Sequence, residues 1–149
     1  MRKSKASIII SKISVIVLFL GLLGCVVFAR QLSGLYLDIV GRQGEELTTA
    51  LRILIYVAGV IGTILLALMY KLLDNVHRDI IFEDRNVKLL KAIQYICYCS
   101  AAVIAVFTPY FIFAAAVALA AAFVGLLIRV ITNVFQSAVQ IKQENDFTI

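Results

Sequence analysis

Long apolar segments separated by short polar ones dominate the sequence. Ile13–Ala29 and Ile53–Tyr70 carry no charged residue, and neither does the much longer segment Ala92–Ile128. A helix that crosses the hydrocarbon core of a bilayer needs roughly 20 apolar residues. One helix over the longest segment would extend about 55 Å at ~1.5 Å per residue, which exceeds the thickness of that core. We therefore predict two helices there, joined by a tight turn at Thr108–Tyr110, where the only proline, Pro109, disfavours continued helix.

The pattern predicts an all-α integral membrane protein, a four-helix bundle forming a single membrane domain over residues 1–149. The predicted parts are a first span at about 9–29, an outer loop at 30–52, a second span at about 53–73, a cytoplasmic loop at 74–88, a third span at about 89–108, a fourth span at about 110–130 that extends as a helix to about 141, and a C-terminal tail at 142–149. The extension is expected because apolar residues recur there at helical spacing, and we expect it to pack on the cytoplasmic loop. The tail is expected to be frayed, with an ordered lid as the alternative.

The first apolar segment has a second interpretation, a secretory signal peptide, because basic residues precede it. Phe28-Ala29-Arg30 is a poor cleavage site, and the apolar stretch from Ile8 is long for a signal peptide. We therefore predict an uncleaved membrane helix.

The distribution of basic residues predicts the orientation of the chain. Cytoplasmic segments of membrane proteins carry an excess of Lys and Arg. All but three of the 14 Lys and Arg residues lie on one side of the predicted spans, and the exceptions in the outer loop are Arg30, Arg42 and Arg52. We therefore predict that both termini are cytoplasmic.

Composition agrees with residence in a membrane. The chain is 62% hydrophobic and 15% charged, with a mean hydropathy of +1.00, whereas soluble domains are about 45–50% apolar and about 25% charged. In a soluble protein the net charge of +5 would suggest nucleic-acid binding. Here we assign it to the cytoplasmic flanks and expect the lipid bilayer, not nucleic acid, as the partner.

Apolar residues also recur at helical spacing within the outer loop. This spacing predicts a short helix lying on the membrane surface, with Leu32, Leu35, Tyr36 and Ile39 as its apolar residues. Gly41 and Gly44 would end it. We expect a connector whose apolar face rests on the bundle, with a lid or a ligand-facing surface as the alternative.

Small residues in the predicted spans would let helices approach closely. The residues concerned are Gly21, Gly24, Gly59, Gly62, Ala114, Ala118, Ala121, Ala122 and Gly125. We expect packing within the chain, with a homo-oligomer or a contact to a protein partner as the alternative.

Charged and titratable residues cluster in the cytoplasmic loop and recur at the C-terminus. The candidate partner-binding residues are His77, Arg78, Glu83, Asp84, Arg85, Arg129, Glu144 and Asp146. We expect a solvated, salt-bridged loop in which Glu83 or Asp84 caps the following helix, with partner binding as the alternative. Arg129 would extend to the headgroups at the membrane boundary. A buried partner or a place on a transport pathway is the alternative for Arg129.

The sequence carries no signature of a metal, cofactor or catalytic site. A lone histidine lacks the ligand spacing of known zinc sites. Cys97 and Cys99 lie two residues apart, which places them on different faces of a helix, and with Cys25 we expect them to be small buried hydrophobic residues. Phosphate-binding glycine loops and hydrolase motifs are absent from the sequence. We therefore predict no catalytic residue, cofactor or metal.

Two short segments resemble a bacterial family of small four-helix membrane proteins, the domain of unknown function 2975 family. One segment contains Ile81-Phe82, Asn86-Val87, Leu90 and Ile93, and the other is the terminus Glu144–Ile149. Glu83 stands where the family usually has a small hydroxyl residue. The resemblance implies the bacterial cytoplasmic membrane and, from frequent neighbouring genes for a small helix-turn-helix regulator, a regulatory or stress context. It implies no catalytic residues.

These observations favour a non-enzymatic membrane protein that acts through partners, as a regulator, an accessory subunit or an immunity-type protein. The alternative is a small oligomeric channel or transporter, and a membrane enzyme ranks third. Proton-coupled exporters need a carboxylate within the membrane, and the predicted spans contain no Asp or Glu. This argues against coupled export but not against a passive pore.

Overall fold

The computed structural model describes residues 2–42 and 44–148, with side chains from residue 6 onward. Within these residues all regular structure is helical: α1 (Arg2–Val27), α2 (Ala29–Val40), α3 (Glu45–His77), α4 (Asp84–Ala105) and α5 (Ile112–Phe147). All except α2 are long and apolar enough to cross a membrane. The prediction of an all-α chain with four helices of membrane length is therefore confirmed.

On the side of the loop between α3 and α4 the helices are longer than the predicted spans, whereas the turn between α4 and α5 is longer than predicted, since α4 ends at Ala105 and α5 begins at Ile112. α3 begins at Glu45 and ends at His77, and α4 begins at Asp84, so the predicted loop 74–88 is reduced to residues 78–83. α5 continues to Phe147, so most of the tail that we expected to be frayed is helical. Hydropathy marks only the apolar part of each helix, whereas the backbone hydrogen bonds of a helix continue through polar turns.

The short helix predicted in the outer loop is α2. Gly41 follows it in the left-handed conformation (φ 68°) and donates backbone hydrogen bonds to the last turn, an ending that favours glycine. The Leu37 side chain packs in a buried cluster with Ala50 and Phe111, while Leu35 and Ile39 are exposed. The face that we expected to rest on the bundle is therefore wrong, because Leu32, Leu35, Tyr36 and Ile39 are all exposed. α2 packs instead through the face that carries Ala29, Ser33 and Leu37, and it connects α1 to α3.

The long helices pack side by side in an open row. α1 contacts α3, α3 contacts α4, and α4 contacts α5 most extensively. Between the described residues of α1 and those of α4 or α5, no two Cα atoms lie within 8 Å. The four long helices that we predicted are present, but the described residues of the first and last of them do not meet as they would in a closed bundle.

Some small residues serve the packing within the chain, as expected, and others do not. A Cβ atom added at Gly59 would collide with Val26 of α1, and one added at Gly125 would lie 2.7 Å from the Tyr98 ring of α4. By contrast, a Cβ atom added at Gly21 or Gly24 would meet no atom within 4 Å. Close approach therefore requires glycine on α3 and α5, whereas the glycines of α1 face open space.

At the end of the row that carries α2, two contacts join α2 and the residue after its cap to the turn between α4 and α5. Arg42 Nη1 donates a hydrogen bond to the carbonyl oxygen of Tyr110, over 3.2 Å. The rings of Tyr36 and Phe111 meet edge to face, with centroids 6.4 Å apart. The turn between α4 and α5 is thereby attached to α2. The opposite end carries residues 78–83, and we call it the loop end.

Candidate interaction site at the loop end

A buried pair of asparagines fixes the short connection between α3 and α4. Asn75 Nδ2 donates to Asn86 Oδ1 over 2.7 Å, and Asn86 Nδ2 donates to the carbonyl oxygens of Ile80 (2.6 Å) and Ile81 (2.8 Å). Asn86 is fully buried. A buried amide is stable only when its polar atoms are paired, so this network holds the loop in one conformation.

The backbone of the loop is ordered as well. Ile80 N donates to the carbonyl oxygen of Asn75 over 3.0 Å, and Asp79 N donates to that of Val76 over 3.1 Å. Asp79 has a φ of 61°, in the left-handed region that Asp tolerates better than most residues. The connection is thus a defined turn.

The end of α5 packs against this loop, as the sequence predicted. The rings of Phe82 and Phe135 are tilted against each other, with centroids 5.7 Å apart. Gln143 Nε2 donates to Asp84 Oδ2 over 3.4 Å. These contacts place the last turns of α5 beside the start of α4.

Between the loop and the end of α5 lies a groove of about 340 Å³. Its lining residues, which we call the loop-end surface, are Phe82, Glu83, Asp84, Arg85, Val139, Lys142, Gln143 and Asp146. All of them except Val139 are exposed. Three carboxylates and two basic side chains line the groove, and such a mixture of charges would select a partner by charge complementarity.

The predicted cap of α4 is only partly correct. Glu83 occupies the N-cap position with extended backbone (φ −134°, ψ 150°), but its side chain makes no capping hydrogen bond. The carboxylate is exposed instead and lines the groove. The backbone amides of Asn86 and Val87 bond to the carbonyl oxygen of Glu83, so the helix begins without help from the side chain.

A second polar cluster ties the end of α3 to α1. Lys12 Nζ lies 2.7 Å from Asp74 Oδ1, and Arg78 Nε lies 3.0 Å from Asp74 Oδ2. Lys12 Nζ also lies 5.5 Å from the centre of the Tyr70 ring. His77, the last residue of α3, is half-buried, and its Nδ1 atom has no hydrogen-bond partner.

The structure thus separates the candidate residues into groups. Four of them line the loop-end surface: Glu83, Asp84, Arg85 and Asp146. His77 and Arg78 belong to the end of α3. Glu144 is exposed but does not line the groove. Arg129 is also exposed, and it lies about 20 Å from Lys142 toward the start of α5, at ~1.5 Å per residue. The exposure of Arg129 supports extension to the headgroups, since it makes no salt bridge among the described residues.

The residues that organise this end were not among the candidates from the sequence. Asn75 and Asn86 form the buried network, and Lys12 and Asp74 form the ion pair between helices. One signal was available: both asparagines flank the loop at the ends of apolar helices, where an amide is useful only with a partner. The partner of Lys12 is 62 positions away and had no local signal.

The described residues offer no group of three His, Cys, Asp or Glu side chains placed to hold a metal ion. All three cysteines are free. Cys97 is buried as expected, but Cys25 and Cys99 are exposed on the outside of the row. The prediction that all three are buried is therefore wrong for two of them, because the row leaves more helix surface uncovered than a closed bundle would.

A comparison with known families identifies the chain. Residues 36–149 match the sequence model of a family described as "Protein of unknown function (DUF2975)". The chain belongs to this family. The match begins inside α2 and includes α3, α4, α5 and the loop-end surface, while α1 precedes it. No curated protein and no solved structure matches the chain.

Proposed function

We propose that this member of the DUF2975 family is a non-enzymatic, multi-pass protein of a bacterial cell membrane that acts by binding a protein partner at its loop-end surface. Its role would be that of a regulator, an accessory subunit or an immunity-type protein. The proposal places both termini and the loop-end surface in the cytoplasm, because most of the basic residues lie on that side.

One observation carries the proposal: a mixed-charge surface is built on a fixed scaffold. Arg85, Lys142 and Asp146 are exposed around the groove, while the buried Asn86 below them holds the loop rigid. A surface that is ordered before binding loses little conformational entropy when a partner docks.

The experiment is purification of the tagged full-length protein from its native host in a mild detergent, followed by quantification of the proteins retained. We expect one partner at a fixed stoichiometry. Arg85→Glu and Asp146→Lys should each reduce its retention at least tenfold, because each reverses a charge at the groove. Lys88→Glu is the matched control, since Lys88 is exposed one turn further along α4 and does not line the groove.

The proposal fails if the purified protein is a homo-oligomer without a partner and conducts ions or solutes in liposomes. That outcome would favour the channel or transporter. It also fails if Lys88→Glu releases the partner as strongly as Arg85→Glu, because binding would then depend on net charge and not on the groove.

A further inference from the structure

A second concave surface lies between α1 and α3, separate from the loop-end surface. It is an open groove of about 400 Å³, lined mainly by Val15, Ile16, Phe19, Leu66, Ala67 and Tyr70. Thr63 also lines it, but its hydroxyl donates to the carbonyl oxygen of Gly59 over 2.8 Å and so has no need of another partner. Apart from the hydroxyl of Tyr70, the lining of the groove is therefore apolar.

The groove lies between two helices that are long and apolar enough to cross a membrane, so in a bilayer its open side would meet the hydrocarbon core. In a bilayer such a surface is surrounded by lipid tails, which are as apolar as the side chains that line the groove. An acyl chain therefore fits this space chemically, whereas water would find few polar partners there.

The loop end of this groove is positively charged. Tyr70 forms part of the groove, and Lys12 Nζ lies 5.5 Å from the centre of its ring. Lys12 and Arg78 share a single carboxylate, Asp74, and neither makes another salt bridge among the described residues, so this cluster of three side chains has a net charge of +1. The Arg78 side chain is 68% exposed, which leaves its other N–H groups available to a ligand.

We propose that the groove between α1 and α3 binds one anionic phospholipid, with an acyl chain along Phe19 and the phosphate beside Lys12 and Arg78. The apolar groove selects the chain, and the excess positive charge at its mouth selects an anionic headgroup over a zwitterionic one. Basic residues near a membrane surface attract anionic lipids in this way.

The absence of tryptophan from the sequence permits a direct test. Phe19→Trp places a single fluorophore in the groove. Phe123→Trp is the matched control, since Phe123 is an exposed residue of α5, on a surface without the groove. Each full-length variant is reconstituted in phosphatidylcholine vesicles that contain either dibrominated phosphatidylglycerol or dibrominated phosphatidylcholine. Quenching then measures which lipid lies next to the tryptophan.

At position 19 we expect the brominated anionic lipid to be preferred by about two- to fivefold, and at position 123 we expect no preference. Added to Phe19→Trp, Lys12→Gln should lower the preference because it removes a positive charge, and Arg78→Gln should lower it as well. Asp74→Asn should raise the preference because it removes the competing carboxylate.

The opposite changes in lipid preference expected for Lys12→Gln and Asp74→Asn distinguish an effect of charge from an effect of loosened packing. Lys12→Gln and Asp74→Asn break the same ion pair, so loosened packing alone would move both preferences in the same direction. Equal preference at positions 19 and 123, or shifts of the same sign in both variants, overturns the proposal. So does a tryptophan at position 19 that neither brominated lipid quenches, since protein, such as a helix of a second copy, would then fill the groove.

Discussion

The hairpin of α4 and α5 is packed more closely than the pair of α1 and α3. Of the most apolar 18-residue segment of each helix, 39% is buried inside the chain in α4 and 17% in α5, against 6% in α1 and in α3. Small residues of α5, such as Ala118 and Gly125, let it pack against α4, and the buried Asn86 lies at the loop end of α4. α1 and α3 meet closely at Gly59 and Gly62, are bridged by one ion pair, and otherwise leave an open groove.

The difference in burial leads us to expect that the two halves of the row, the α4–α5 hairpin and the α1–α3 pair, contribute to different kinds of binding. The hairpin is the better-packed half and supports the loop-end surface, where a fixed geometry favours specific binding. The α1–α3 pair leaves apolar surface to the bilayer, where lipid can complete the packing. Substitutions that affect one half and not the other test this division.

The largest effect is expected at Asn86. Asn86→Ala removes three hydrogen bonds and leaves the carbonyls of Ile80 and Ile81 without their partner, which should lower the free energy of unfolding by about 3 kcal/mol. The measurement is unfolding in mixed micelles, followed by circular dichroism. Asn133→Ala, an exposed site on α5, is the control and should change stability by less than about 0.5 kcal/mol. Equal losses in the two variants would show that the buried network does not stabilise the fold.

The next effect concerns the close approaches of helices. Gly125→Ala pushes a methyl group against the Tyr98 ring, and Gly59→Ala pushes one against Val26, so each should lower the free energy of unfolding by about 1–2 kcal/mol. Gly21→Ala is the control, because its methyl group meets no atom within 4 Å and alanine favours helix. It should leave stability unchanged or raise it. The comparison of the two halves also requires that Gly59→Ala alter quenching at position 19 while Gly125→Ala does not.

A smaller effect is expected at the ion pair between α1 and α3. Lys12→Met and Asp74→Asn should each lower stability by less than either glycine substitution, because both partners are partly solvated. A double-mutant cycle should give a favourable coupling between the two residues that weakens as salt is added. A coupling that salt does not change would indicate that packing, and not charge, joins the two helices here.

The smallest effect is expected at Arg129. This residue is exposed and makes no salt bridge among the described residues, so Arg129→Gln should change the free energy of unfolding by less than about 0.5 kcal/mol. Retention of the partner should also be unchanged, since Arg129 does not line the groove. A large loss of stability or of binding would restore the alternative in which Arg129 has a buried partner or lies on a pathway.

Much of the local structure could be predicted from the sequence. Apolar runs located the four long helices, helical spacing located α2, and the apolar residues after Arg129 predicted the extension that meets Phe82. Of the candidate site residues, Glu83, Asp84, Arg85 and Asp146 do share one groove. Their clustering was predictable because they lie at the start of α4 and near the end of α5, which the pattern placed on the same side of the membrane.

The remainder of the site could not be predicted because it depends on pairs that are distant in sequence. Lys12 is one of 14 basic residues, and no local pattern marks Asp74 as its partner. Gln143 and Asp84 are 59 positions apart. Asn86 looked like one residue of a short motif, and only its burial shows that it organises the loop.

The sequence by itself determined that this is a helical chain with four helices of membrane length, a basic side, and membership of the DUF2975 family. Hydropathy and helical spacing are local properties, so they can be read along the chain. Only the tertiary structure decided that the helices form an open row, that Asn75 meets Asn86, and that a groove remains between α1 and α3. These features depend on which helix faces meet, and apolar helices in lipid can present many faces to one another at similar free energy until close approaches and polar contacts select one arrangement.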